Sequence, residues 1–133
     1  MVRLNISSGT VWEPVVGYSR AVRVGPHVYV SGTTATNASG EVVGAGDPAA
    51  QTEQALANLA AALAQAGAAL EHVVRTRIFV TDITHWEAIG CVHGKVFGAI
   101  RPACSMVEVR RLIHPDLLVE IEADAYVTAS PTP

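Results

Sequence analysis

The chain has 133 residues, of which 50% are hydrophobic and 16% are charged, and its formal net charge at pH 7 is −3. This composition excludes a largely disordered chain, and the mild acidity leaves no basic field that would gather nucleic acid. The length suits one domain over residues 1–133, with a core that needs neither disulfides nor metal.

The chain shows no sign of export or of a membrane segment. Its longest apolar stretch, residues 55–69, is rich in alanine and interrupted by polar residues, so it is too short and too polar to span a bilayer. The first five residues lack the apolar core of a signal peptide. Cys91 and Cys104 have no CxxC spacing, and the histidines have no metal-ligand spacing. We therefore expect a soluble cytoplasmic protein with reduced thiols and no metal.

The first predicted elements form a hairpin followed by a helix. Residues 21–24 and 28–31 are rich in β-branched residues and are joined by the turn signal Gly-Pro at 25–26. After a polar loop, the Asp-Pro pair at 47–48 is typical of a helix start. Apolar residues then recur every three or four positions, which predicts a helix over 48–66.

The second half of the chain predicts a strand, a helix and two further strands. Residues 73–82 alternate as a strand, with Val74, Thr76, Ile78 and Val80 expected on one face. Thr84 is the expected N-cap of the second helix. The apolar face of that helix is expected to contain Trp86, Ile89, His93, Val96 and Phe97.

The predicted order is completed by strands at 104–112 and 118–127, which we expect to pair with each other across a turn at 113–116. The order β-β-α-β-α-β-β predicts an α+β fold in which two helices cover one face of a sheet. The other face would then expose an apolar patch larger than monomers usually tolerate, so oligomerisation through the sheet is expected.

Short segments spread along the chain resemble one known family. They are Gly17-Tyr18-Ser19, Val30-Ser31-Gly32, Gln51-Thr52, Asn58-Leu59, Val73-Val74-Arg75-Thr76, Phe79-Val80-Thr81-Asp82, Pro102-Ala103, Val107-Glu108-Val109 and Val119-Glu120-Ile121-Glu122-Ala123. In this order and spacing, over residues 17–127, they resemble the RidA/YjgF family of reactive-intermediate deaminases, which is also called endoribonuclease L-PSP-like.

The resemblance implies a chorismate-mutase-like mixed β-sheet, with three copies closing a central barrel and a small-molecule cleft at each subunit interface. Active members hydrolyse imines or enamines to 2-keto acids and ammonia, without a metal or an organic cofactor. By position, Tyr18 and Ser31 match groups that line the cleft, and Glu120 matches the acidic residue that positions water.

One departure from the family pattern concerns the substrate anchor. Active members carry Pro-Ala-Arg-Ser, and that arginine forms a bidentate salt bridge with the substrate carboxylate, whereas this chain has Cys104 there. A thiol has neither a permanent charge nor a planar fork of donors. Each charged hydrogen bond contributes about 1.5–3 kcal/mol, or about one to two decades of affinity. We therefore expect inefficient 2-iminopyruvate deaminase activity and altered substrate recognition.

Several roles stay open for these residues. Cys104 is a nucleophile, a residue lining the cleft or a small filler of the arginine's space. Glu120 holds or deprotonates water, or is merely solvated. Arg75 and Arg77 are the best internal substitutes for the missing cation, although such pairs more often neutralise acids. Trp12 either covers the cleft or attaches the terminus to the body.

The sequence favours two classes of function. The first is a deaminase or related hydrolase acting on an imine, an enamine or a related metabolite at a homotrimer interface, with Glu120 and Cys104 as catalytic candidates. The second is a non-catalytic trimer that binds a metabolite or a partner protein. Ribonuclease activity is a weaker third hypothesis, because the acidic chain has no basic track for RNA.

Overall fold

The computed structural model describes residues 2–128, which form one six-stranded sheet with two long helices on one face. The strands are β1 (Arg3–Ile6), β2 (Ala21–Val24), β3 (His27–Thr33), β4 (Val73–Val80), β5 (Ala103–Glu108) and β6 (Val119–Tyr126). The helices are α1 (Trp12–Val16), α2 (Pro48–Gln65) and α3 (Trp86–Phe97), with short 3-10 turns at Leu70–His72 and Ile83–His85. The α+β class and the mixed sheet predicted from sequence are confirmed.

The strand order is β1-β2-β3-β6-β4-β5, and this corrects one prediction. The last two strands do not pair with each other, because β4 lies between them. Helix α3 returns the chain to the same end of the sheet, so β5 pairs in parallel with β4. The connection after β5 is long enough to cross back, and β6 then pairs antiparallel with both β3 and β4.

The helix-covered face of the sheet holds the core. Alternate residues of β6 are buried, and they pack with leucines of α2 and with two large residues of α3. The largest of these fully buried side chains are Phe97, Leu59, Leu63, Ile78, Ile89 and Ile121. The remaining β6 residues, Glu120, Glu122, Asp124 and Tyr126, project from the opposite face, which no helix in the described part of the chain covers. We refer to that second surface as the open face.

A bulge in β4 corrects the predicted strand pattern. Val73 pairs with Ala125 and Arg75 pairs with Asp124, so Val74 is an extra residue in β4. Val74 is therefore 53% exposed, whereas Val73 is buried in its place. From Thr76 onward the alternation is the predicted one.

The helix ends follow local chemistry. Asp47 caps α2 as predicted, by accepting a hydrogen bond from the Ala50 N–H at 3.0 Å. The predicted cap Thr84 is wrong, because Asp82 accepts from the Thr84 N–H at 2.9 Å and caps the 3-10 turn that precedes α3. Trp86 consequently lies at the first position of α3, where its side chain is 57% exposed rather than part of the core.

The sequence analysis missed β1 and α1, both of which lie before residue 17. Glu13 organises this segment, because its buried carboxylate accepts hydrogen bonds from the Ser8 hydroxyl at 2.6 Å, the Ser8 N–H at 3.2 Å and the Thr10 hydroxyl at 3.0 Å. Burial alone would raise the pKa of Glu13, but hydrogen bonds from Ser8, Ser7 and Thr10 outweigh it and lower that pKa to about 2. The N-terminal segment is thus folded against the domain.

Within the described residues, no helix has the length and apolar character needed to cross a membrane.

Candidate functional site

Glu120 lies on the open face of β6, in the middle of the sheet. Its strand is hydrogen-bonded on both sides, and Glu120 itself pairs with Phe79 of β4. Its side chain is half-buried, so it is neither a solvated surface group nor part of the core. A carboxylate in this position is held on a rigid element but can still meet a ligand.

A glycine on the adjacent strand makes room for the Glu120 carboxylate. The register between β3 and β6 shifts between Val30 and Thr33, which places a bulge at Ser31 and Gly32. Any side chain at Gly32 would collide with the carboxylate of Glu120. Gly32 therefore leaves free the space that the Glu120 carboxylate occupies.

Arg20 is the cation nearest to this position, immediately before β2. Its Nη2 donates a hydrogen bond to the Gly32 carbonyl oxygen, and its Cζ lies 5.7 Å from the centre of the Tyr18 ring. The Nε of Arg20 is buried and has no hydrogen-bond partner within residues 2–128. Arg20, Gly32 and Glu120 thus follow one another across three neighbouring strands.

The pKa of Glu120 is raised above its ordinary value of 4.5. Burial is the main cause, because it disfavours the charged carboxylate. The positive charge of Arg20 opposes this effect, whereas the negative charge of Glu122 adds to it. A carboxyl group with a raised pKa is a better proton acceptor when ionised than an ordinary surface glutamate.

Tyr18 and Ser31 are close to this group. The Ser31 hydroxyl donates to the Ser19 carbonyl oxygen at 2.6 Å, and the Ser31 N–H donates to the Arg20 carbonyl oxygen at 3.0 Å. Tyr18 packs its ring against the Arg20 guanidinium. One subunit therefore brings together Tyr18, Arg20, Ser31, Gly32 and Glu120, which we call the glutamate half-site.

Cys104 lies apart from the glutamate half-site. It pairs in parallel with Thr76, and Thr76 is fully buried on the helix-covered face, so Cys104 projects from that same face. Glu120 projects from the open face, with β4 between its strand and β5. Cys104 is exposed on the edge strand. Within one subunit the two candidates cannot meet.

His93 contacts Thr76, the residue that pairs with Cys104, and lies away from the glutamate half-site. Its Nε2 lies 2.9 Å from the Thr76 hydroxyl oxygen, and its ring centre lies 4.6 Å from that of Phe97. Burial lowers the pKa of His93, which favours the neutral imidazole. These contacts make His93 a hydrogen-bonded histidine at the edge of the core.

The two arginines of β4 differ in their surroundings. Arg77 is 3.3 Å from Glu122 and 3.4 Å from Asp124, so its charge is already neutralised on the open face. Arg75 is exposed at the start of the same strand, opposite Asp124. Of the two, Arg75 is the one that no acid holds within the described part of the chain.

A cavity of about 590 Å³ lies beside the glutamate half-site, and it contains Arg20 in its wall. It is enclosed by the N-terminal segment, the loop after β3 and one side of α2. Trp12 also lines it, so its side chain lies at the border of a cavity. Hydroxyl and amide side chains share the wall with apolar groups, and the polar ones include Ser8, Thr10, Thr34, Asn37 and Asn58.

Sequence reasoning missed Arg20 and Gly32 as members of the site. Arg20 was one of several scattered arginines, and only its spacing of two residues from Tyr18 on an extended segment indicated a shared face. No group of three or more potential metal ligands occurs within residues 2–128. The chemistry that the half-site itself offers is proton transfer by Glu120 beside a fixed cation.

Comparisons with known proteins agree with the resemblance. Residues 10–127 match the family model described as endoribonuclease L-PSP. An uncharacterised protein of Streptomyces coelicolor is 36% identical over 121 residues, covering 91% of this chain and 90% of that protein. A protein of Acinetobacter baylyi named 3-aminoacrylate deaminase RutC is 37% identical over 114 residues, covering 86% of this chain and 90% of that protein.

Solved structures have the same fold. A YjgF/YER057c/UK114 family member from Mycobacterium tuberculosis superimposes with a TM-score of 0.87 at 57% identity, covering 95% of this chain and 100% of that one. The YjgF gene product of E. coli gives a TM-score of 0.78 at 32% identity, covering 92% and 93%. The chain therefore belongs to the RidA/YjgF family.

Proposed function

We propose that this protein is a deaminase-type hydrolase that acts on an imine, an enamine or a related small metabolite, with Glu120 as its proton-transferring residue. The observation that carries the proposal is the half-buried Glu120 carboxylate, whose pKa is raised and which lies against Gly32. The relative named 3-aminoacrylate deaminase supports the same reaction class, since 3-aminoacrylate is an enamine.

The proposed reaction is a hydrolysis in which protons are transferred and nothing is oxidised or reduced. An enamine first gains a proton at carbon and loses one from nitrogen, which converts it to an imine. Glu120 then accepts a proton from water while the water oxygen bonds to the imine carbon, and that proton passes to the nitrogen. The hydroxyl proton of the resulting carbinolamine then passes to the nitrogen as well, so the carbon–nitrogen bond breaks and ammonia leaves as the carbonyl forms. Each atom is accounted for by one water molecule and the substrate.

The proposal assigns altered substrate recognition to the remaining residues. Cys104 shapes the cleft in place of the family arginine, and Tyr18 and Ser31 line it beside Glu120. Of the sequence candidates for a cation, Arg75 is exposed, whereas Arg77 is occupied by acids. Cys104 remains a candidate for direct participation, because its thiol is exposed.

The proposal includes a cytoplasmic homotrimer built from one domain per chain. Its support is the placement of Cys104 and Glu120 on opposite faces of one sheet, because a neighbouring subunit is then needed to complete a cleft that contains both. The substrate would bind at this subunit boundary. A net charge of −3 gives no support to nucleic acid as a partner.

Ammonia release from a panel of imines and enamines tests the proposal, with wild type compared with Glu120→Ala. We expect wild type to release ammonia faster than buffer from at least one compound, and Glu120→Ala to lose about a hundredfold or more of that rate. Equal rates at the buffer level in both proteins would overturn the enzymatic proposal.

The replacement of arginine by Cys104 favours a second candidate, a non-catalytic trimer that binds a metabolite or a partner protein. A thermal-shift screen followed by analysis of the ligand separates the two. Stabilisation by a ligand that is recovered unchanged supports binding alone. A hydrolysed product in the same tube supports catalysis.

A further inference from the structure

Arg20 is a cation whose charge no acid among residues 2–128 neutralises at close range. Its side chain donates a hydrogen bond to the Gly32 carbonyl and packs on Tyr18, and both contacts are with uncharged groups. Glu120 is close enough for the positive charge to affect its pKa, but no ion pair joins the two among residues 2–128. The buried Nε has no partner in that same range. Arg20 therefore has unused hydrogen-bond donors in partly desolvated surroundings.

The cavity beside Arg20 has the electrostatic character of an anion site. Within the described part of the chain, Arg20 is the one charged residue in its wall, and the wall contains no carboxylate. The other groups are mainly hydroxyls and amides, which suit a small polar ligand. A volume of about 590 Å³ is ample for a metabolite of a few heavy atoms.

The wall of this cavity is held in place by α2. Asn58 donates hydrogen bonds to the Thr34 carbonyl at 2.9 Å and the Thr36 carbonyl at 2.8 Å, so the loop after β3 is attached to the helix. All three residues line the cavity. A wall fixed in this way lowers the entropic cost of ordering a ligand.

We infer that Arg20 binds a carboxylate group of the substrate from the wall of this cavity, and thereby replaces the arginine whose place Cys104 has taken. The planar guanidinium matches a carboxylate with parallel hydrogen bonds, which neither lysine nor a thiol can form. The hydrogen bond to the Gly32 carbonyl oxygen orients the Arg20 guanidinium near Glu120. This inference rests on the proposed function and names its substrate class: imines or enamines that carry a carboxylate.

Binding of a stable product analogue tests the inference without catalysis. Isothermal titration calorimetry compares a short 2-keto acid with its neutral amide. We expect wild type to bind the acid more tightly than the amide, and Arg20→Gln to lose about tenfold or more of its affinity for the acid alone. Arg3→Gln, at an exposed arginine of β1, is the matched control and should retain the preference. Equal binding of acid and amide by wild type would overturn the inference, and so would full preference in Arg20→Gln.

Arg20→Lys covers the case in which Arg20→Gln does not fold. Lysine keeps the charge but loses the fork, so the preference for the acid should fall partway; an unchanged preference would contradict the inference. Binding measurements and ammonia release together distinguish a failure of this inference from a failure of the proposed function. A preference for the acid that depends on Arg20, without ammonia release, would sink the enzymatic proposal alone. Ammonia release with equal KM values in wild type and Arg20→Gln would sink the role of Arg20 alone.

Discussion

The side chains of Cys104 and Glu120 project from opposite faces of one sheet, because Cys104 pairs with buried Thr76 whereas Glu120 pairs with Phe79. A cleft that contains both groups must therefore take Glu120 from one subunit and Cys104 from its neighbour. This relationship makes the proposed assembly testable by mixing variants.

Mixed trimers of Glu120→Gln and Cys104→Trp should recover activity that each variant lacks alone. The first variant loses the proton acceptor, and the second blocks the cleft with a bulky ring. In a cyclic trimer containing both kinds of subunit, about one in three boundaries has both native residues. Refolding equal amounts of the two should restore about a quarter of the ammonia release, because about a quarter of the trimers then contain one kind of subunit only. No recovery in a mixture shown to be trimeric would contradict the shared cleft.

The pKa of Glu120 predicts a pH dependence of stability. Because its folded-state pKa lies above 4.5, the folded protein binds this proton more tightly than the unfolded chain. Wild type should therefore lose stability relative to Glu120→Gln as the pH rises from below 4.5 through the folded-state pKa. Urea unfolding of both proteins at about pH 4 and about pH 8 measures the difference. If the difference in free energy of unfolding between the two proteins did not widen as the pH rises, the raised pKa of Glu120 would be contradicted.

Glu13 predicts the opposite dependence. Its folded-state pKa of about 2 lies below the ordinary 4.5, so it stabilises the fold above pH 4.5, and this stabilisation is lost as the pH falls toward 2. Glu13→Gln should lower the free energy of unfolding by about 1–3 kcal/mol at neutral pH. The variant Glu53→Gln, at an exposed position of α2, is the control and should stay close to wild type. A neutral effect of Glu13→Gln would show that the Ser8 and Thr10 contacts contribute little.

Cys104→Arg should restore the family's anchor. We expect it to raise kcat/KM for a carboxylate-bearing imine by about tenfold or more, with a larger gain in an Arg20→Gln background, because either cation can then bind the carboxylate. Steady-state ammonia release from the four proteins of this double-mutant cycle measures the coupling. Equal gains in both backgrounds would mean that the two cations serve different groups.

The parts of the fold that local signals determine were predictable from the sequence. The cap at Asp47 and the apolar spacing predicted α2 almost to the residue. The pairing of β6 was not predictable in this way, since it depends on contacts between distant strands rather than on the turn that precedes it. The bulge at Val74 was not predictable for a similar reason. A regular strand and a bulged strand can have the same sequence pattern of polar and apolar residues, and only the pairing with the partner strand distinguishes them.

The candidate site was predictable in part. Tyr18, Ser31 and Glu120 come from the family resemblance, and the structure places them together. Arg20 was missed because it is one of several arginines scattered along the chain, and only the fold shows that it contacts Gly32 and Tyr18 beside Glu120. The separation of Cys104 from Glu120 likewise depends on strand order, which the sequence analysis had wrong.

A crystal structure of the assembled protein with a bound 2-keto acid tests the central claim most directly. The account predicts that the ligand lies at a boundary between two subunits, with one protomer's Glu120 near its reacting carbon and the neighbour's Cys104 in the opposite wall. A monomer, or a boundary in which packed side chains fill the space beside Glu120, would contradict it.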